Sequence, residues 1–314
     1  MTTKDFFTHP LGIAASAAGA TLLWGSAFPF IKLSYKSLDI RPEEMGEQML
    51  FAGYRFLLAG LLILALFLLM KRDMKFKPET TLPLLKIGLF QTFLQYVLFY
   101  IGLSYSTGIQ GSIIAGTTSF FQILLAHFLY PDDRMNRLKI AGLMIGFTGV
   151  IFANWPNGEY EIHFGIGEIM LMLAMLAGAY GNILAKQGSA KMEVIYSTAY
   201  QMILGSLGLV AIGVFSVGVF PFSFDLKSIL MLVYLAFLSA AGFILWNNVM
   251  KYNQVGKVSL YLFLVPVFGV ILSSILLDEP LHNFVIAGLI LVVAGIVLVN
   301  RPARKTAKNS LPSK

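Results

Sequence analysis

Residues that can carry charge or form hydrogen bonds are rare inside the long apolar runs of this chain, so each one there needs a physical reason. Gln91, Gln95 and Tyr96 fall at i, i+4 and i+5 of one run, on one face of a helix. Hydrocarbon offers no partner to such a face, so it must look onto protein or water. Thr118, Ser119 and Gln122 form a similar patch in the next run, and Ser239, Trp246, Asn247 and Asn248 form another further on. Two stretches set an aromatic among small residues: Trp24-Gly25-Ser26-Ala27-Phe28-Pro29 and Ala177-Gly178-Ala179-Tyr180-Gly181-Asn182. Interruptions of this kind free backbone groups to line a cavity, and Pro29 removes a helical hydrogen bond and should kink its helix. Packing alone accounts for small residues in lipid equally well. The expectation is one central cavity bordered by Trp24, Gln95, Tyr96, Ser119, Gln122, Tyr180, Asn182, Trp246 and Asn247.

Charges inside the runs are fewer and more telling. Arg55 lies about 9 Å along its helix from the nearer end, too deep for a lipid-facing position. An ion pair with Glu44 or Glu47 and a role at a gate or on an anionic group are both open to it. Glu168 falls in the first turn of its helix, where the helix dipole favours a carboxylate, and it is the first candidate for coupling to protons. With Pro29 and Arg55 it makes up the expected gating or coupling set. Lys32, Lys86 and Lys186 sit near run ends and should reach the headgroups, and His127 reads as a satisfied packing residue. Asp278-Glu279-Pro280 should cap and start the last helix.

The elements that position these groups are membrane helices. Hydrophobic residues make up 57% of the 314 positions and charged ones 12%, against about 25% in soluble domains. The mean hydropathy is +0.76. Apolar runs at 11–34, 49–70, 82–103, 110–130, 138–154, 165–186, 194–219, 226–250, 258–277 and 283–300 predict ten transmembrane helices in an all-α fold. The first run is too long for the core of a signal peptide and reads as a retained span. The net charge of +7 comes from basic residues in short connections and in the tail, which explains it by orientation rather than by nucleic-acid binding. Lys71, Arg72, Lys75, Lys77, Arg134, Arg137, Lys139, Lys191, Lys251 and Lys257 fall in alternate connections, while 104–109, 155–163 and 278–282 carry no excess of them. Both termini are therefore expected in the cytoplasm, with the chain multi-pass in the cytoplasmic (inner) membrane.

An offset of 146 residues matches Asp132 to Asp278, Ala141 to Ala287, Gly142 to Gly288, Leu143 to Leu289, Gly149 to Gly295 and Asn154 to Asn300. This is an internal duplication. Five spans per copy is an odd number, so the copies must enter the bilayer from opposite sides. The resulting division is a first repeat over 1–154, an inverted second repeat over 155–300 and a basic cytoplasmic tail over 301–314. Inverted repeats are a recurring architecture of transporters, and they favour that reading over a channel.

The chain also resembles the EamA-type transporters of the drug/metabolite transporter superfamily. The resemblance rests on Leu23-Trp24-Gly25-Ser26-Ala27-Phe28, Tyr54-Arg55-Phe56-Leu57-Leu58-Ala59-Gly60, Leu264-Val265-Pro266-Val267-Phe268 and Asp278-Glu279-Pro280-Leu281 with Gly288 and Gly295. It departs where Tyr130-Pro131-Asp132-Asp133 replaces the usual acidic turn. It implies a bundle around a central cavity, with amino acids, drugs, nucleosides or related metabolites as cargo. Without clustered cations at mid-membrane, the expected substrate is neutral, zwitterionic or monocationic. No metal-ligand spacing and no nucleotide-binding loop is present, so no cofactor is expected. The expected partners are the small-molecule substrate, the lipid bilayer and protons, with the chain acting as a monomer or a homodimer. An intramembrane enzyme, a lipid-modifying protein and a membrane sensor or scaffold are the competing classes; no catalytic constellation or soluble domain favours them.

Overall fold

A computed structural model describes residues 2–153, 165–281 and 283–300, all of it helix and connection. The expected outer connection 155–163 and the tail 301–314 lie outside the described residues. A six-residue helix, Thr3–Thr8, leads into ten longer ones: α1 Pro10–Leu38, α2 Met45–Leu69, α3 Pro78–Ser104, α4 Gly108–Leu129, α5 Arg137–Ala153, α6 Ile166–Gly188, α7 Val194–Val217, α8 Leu226–Tyr252, α9 Val255–Leu277 and α10 Asn283–Asn300. Eight of these, all but α5 and α10, are long and apolar enough to cross a membrane. Their ends carry the expected chemistry. Thr107 and Gln110 cap α4 reciprocally, Asp225 and Ser228 do so for α8, and α1 opens with Pro10 in its first turn.

The helices pack across the duplication. α1 packs on α8 and α9, and its counterpart α6 packs on α3 and α4; α2 pairs with α7, and α5 with α10. Glycines set these approaches. A Cβ on Gly60 would fall 2.9 Å from the Ala199 carbonyl oxygen, and one on Gly295 would fall 2.6 Å from that of Gly142. On the outer faces Leu61, Leu66, Leu207 and Phe215 stand exposed, as a lipid-facing surface requires.

The interruptions fall elsewhere than expected. α1 runs unbroken through Pro29, and α6 is continuous. The breaks are in α4, where the helix changes at Gly116, and in α9, where a 3₁₀ stretch over Ser259–Phe263 precedes Pro266. The 146-residue offset places Gly116 opposite Leu262, inside that stretch. A Cβ on Gly116 would lie 3.3 Å from the Pro266 ring, so the two breaks meet. α3 holds a third irregularity, a π turn over Leu89–Leu94.

Candidate functional site

Between the halves lies a cavity of about 70 Å³. α1 lines it with Trp24, Ala27 and Phe28, α3 with Gln95, Tyr96 and Phe99, and α2 with Arg55. The interrupted helices contribute Ala115 and Thr118 from α4 and Leu262 and Val265 from α9. Met175 and Asn182 of α6 and Phe243 of α8 complete the wall. Of the expected border, Trp24, Gln95, Tyr96 and Asn182 are lining residues.

α3 and α6 run antiparallel in close contact. A Cβ on Gly102 would lie 2.8 Å from the Gly167 carbonyl oxygen, one on Gly178 would meet the Gln95 amide at 2.6 Å, and one on Gly181 would meet the Gln91 backbone at 2.7 Å. The aromatic-plus-small stretch of α6 is thus the groove that receives α3. Tyr180 does not line the cavity. It lies about 200° around the helix from Asn182 and packs edge-on against Phe90, ring centroids 4.8 Å apart.

Gln122, Asn247 and Ser119 turn toward one another, not into the cavity. Gln91 Nε2 donates to Asn182 Oδ1 (2.7 Å) and, more weakly, to Asn247 Oδ1 (3.4 Å). Asn182 Nδ2 donates to Gln122 Oε1 (2.9 Å), Gln122 Nε2 to Ser259 Oγ (2.7 Å), and Asn247 Nδ2 to Thr198 Oγ1 (3.1 Å). Ser119 Oγ donates to the Ser259 carbonyl. These buried groups join α3, α4, α6, α7, α8 and α9 beneath one end of the cavity. Spacing within one helix put Gln91 on a polar face but gave no sign of its central place among six helices. Trp246 is fully buried behind Trp24, with ring centroids 5.8 Å apart.

Toward the other end stands Arg55, 1% exposed. Its Nε donates to the Leu235 carbonyl (3.2 Å) and Ser239 Oγ (2.8 Å), and Nη1 donates to the Tyr100 hydroxyl (3.0 Å). Its guanidinium carbon lies 4.9 Å from the Phe56 ring centre and 5.7 Å from that of Tyr96. The ion pair with Glu44 or Glu47, one of the two alternatives open from sequence, does not form. Glu44 pairs with Arg41 at 3.4 Å, and no carboxylate among the described residues is within ion-pair distance of Arg55.

Carboxylates cap helix N-termini toward the two ends of the bundle. Glu279 accepts from the N–H of Gly108 (2.8 Å) and of Ile109 (2.7 Å), so it caps α4 and not the last helix, where the sequence places its capping role. At the opposite end Asp133 accepts from the Gly256 N–H of α9 (2.6 Å) and from Lys139 Nζ (2.7 Å). The 146-residue offset carries Asp133 onto Glu279, so the altered acidic turn of the first half keeps the function of the second. Glu168 accepts from the Gly165 N–H (2.9 Å) and Ser106 Oγ (3.0 Å), a capping position. Lys186 does not reach for headgroups. It donates to the carbonyls of Met250 (2.5 Å) and Asn253 (2.7 Å) and closes the end of α8. His127 Nδ1 accepts from the Met135 N–H (3.1 Å), as a packing residue would.

A bundle of apolar helices around an aromatic-walled cavity, built from two copies of one motif, defines a multi-pass membrane protein of transporter type. The model of the EamA-like transporter family matches the chain twice, over residues 11–155 and 165–301, and the chain belongs to that family. It is 30% identical to the uncharacterized transporter YvbV of Bacillus subtilis (strain 168), over 90% of each chain. It is 27% identical to a probable amino-acid metabolite efflux pump of Salmonella typhimurium (strain LT2), over 88% of this chain and 91% of that one. A solved crystal structure shares the fold with a TM-score of 0.72 at 17% identity, over 93% of this chain and 97% of that one.

Proposed function

We propose that the chain is a secondary transporter of the cytoplasmic membrane that moves a small organic metabolite by alternating access between two inverted five-helix halves. One observation carries the reading: the cavity is walled from both halves, and symmetry-related carboxylates cap helix N-termini toward opposite ends of the bundle. Releasing Glu279 from α4 or Asp133 from α9 would open one end or the other, and the meeting of the two interrupted helices at Gly116 and Pro266 gives them a place to bend. α5 and α10 complete the two sets of five spans, at 17 and 18 residues within the range a tilted bilayer span allows.

The cargo is neutral, zwitterionic or monocationic, with amino acids and their derivatives first. A sugar phosphate would need several cations in the wall, whereas Arg55 is the single one among the lining residues. Ammonium groups can sit over Trp24 or Tyr96 for about 0.5–2 kcal/mol each. The amino-acid metabolite efflux pump among the relatives supports the same class. The test is counterflow in proteoliposomes: saturable exchange of radiolabelled amino acids is expected, and product formation without net movement would instead establish an enzyme.

A further inference from the structure

Resting on the transporter reading above, we infer that Arg55 is the carboxylate anchor of the cavity and that the cargo carries one carboxylate on an apolar body. A guanidinium has five N–H donors. The protein engages Nε and one hydrogen of Nη1, which leaves the Nη1/Nη2 edge with about three donors, the fork that receives a carboxylate in two parallel bonds. Arg55 is 1% exposed, lines the cavity and has no carboxylate partner among the described residues.

A buried cation left without a counter-ion is strongly destabilising, and in a membrane-spanning helix such a residue points to a functional partner. The partner has room beside it. Gln95, on the next turn of α3 from Phe99, lines the same space and makes no hydrogen bond among the described residues, so its amide is available to the polar end of a ligand. Beyond it, Phe28, Phe99, Phe243, Leu262 and Val265 form an apolar wall for the rest of the molecule. No lining residue is acidic, so nothing in the wall calls for a dication or an amine as its sole charge. Of the neutral, zwitterionic and monocationic cargoes proposed above, the zwitterionic α-amino acid supplies that carboxylate.

The test is a thermal-shift and counterflow panel on purified full-length protein. It comprises the twenty proteinogenic amino acids, their carboxamides, the corresponding deaminated acids and the decarboxylated amines. Acids should bind at least tenfold more tightly than their matched amides. Arg55→Met should abolish that preference, and Arg55→Lys should keep part of it. Tyr100→Phe removes one hydrogen bond from Arg55 but not its charge, so it should leave the acid-to-amide ratio unchanged. A merely structural arginine would lose stability in all three variants with no change in that ratio. If only the amino acids bind, the cargo is the zwitterion and both the anchor and the proposed cargo class stand; if deaminated acids bind as well, the anchor stands and the cargo class proposed above is overturned in favour of a monoanion. Amides or amines that bind and exchange as well as the acids, undiminished in Arg55→Met, would overturn the anchor and leave the transporter reading standing. No saturable exchange by any compound in the panel would overturn the amino-acid-like cargo itself, and the anchor with it.

Discussion

Gln95 reaches the cavity because α6 has no side chain at Gly178, and Gln91 reaches Asn182 because it has none at Gly181. The two glycines look alike in sequence, but what faces each differs. Added atoms at Gly178 would meet the tip of a flexible amide, and at Gly181 the backbone of α3. Gly178→Ala should therefore destabilise by about 1 kcal/mol and Gly181→Ala by nearer 3, because only the side-chain tip can give way. Gly178→Ala should still lower transport severalfold, since Gln95 must leave its place. Melting in detergent and counterflow rates check both, and equal destabilisation would show that α3 and α6 are less closely docked. Asn182→Ala leaves Gln91 and Gln122 each short of a buried partner, and about 1–3 kcal/mol per orphaned group is expected in the same melting experiment. At this scale the sequence was partly legible. A polar residue in an apolar run announces that it avoids lipid, which singled out Gln95 and Tyr96, while Asn182 came from the aromatic-plus-small stretch of α6. It does not say whether the group turns to a cavity or to another amide, so Ser119, Gln122 and Asn247 belong to a network instead.

At the scale of elements, the carboxylates at the helix starts make the sharper forecast. Glu279 holds the first two N–H groups of α4, and Asp133 holds one of α9 together with Lys139. Neutralising either removes a charge from a helix N-terminus, worth about 0.3–2 kcal/mol, enough to shift a balance between two cavity states. The chain has no cysteine, so a single one at Thr118 reports on the cavity. Glu279→Gln should speed its reaction with an impermeant thiol reagent added from outside, and Asp133→Asn should speed it in inside-out vesicles. Unchanged rates in both would mean that these caps are not closures. The duplication was legible from spaced identities, yet the broken helices were sought in α1 and α6, where proline and glycine cluster. Pro29 sits within a continuous helix, and Gly25 serves contact with α9, where a Cβ would lie 2.7 Å from Phe268 Cβ. The breaks at Gly116 and Ser259–Phe263 and the π turn of α3 leave little mark on local composition, because tertiary contact sets them.

For the whole molecule, composition and run length were enough for an all-helical membrane protein, since only helices and closed barrels satisfy their backbone in lipid and these runs are too long, and too uniformly apolar, for barrel strands. Orientation rests on a different physical signal, the bias of Lys and Arg toward connections that stay in the cytoplasm. The α2–α3 connection carries Lys71, Arg72, Lys75 and Lys77, whereas the α7–α8 connection, its counterpart in the second half, has no basic residue between Gly218 and Asp225. The 146-residue offset carries Asp73 of the first connection onto Val219 of the second, and both are exposed. If the halves are inverted, these corresponding positions lie on opposite sides of the bilayer. Cysteines placed singly at Asp73 and Val219 should then react differently with an impermeant maleimide: Val219→Cys in intact cells, Asp73→Cys only after permeabilisation. Labelling of both from the same side would mean an even number of crossings between them. The halves would then be parallel copies, and the exchange of α1 on α8 and α9 for α6 on α3 and α4 could not serve to open the cavity to alternate sides.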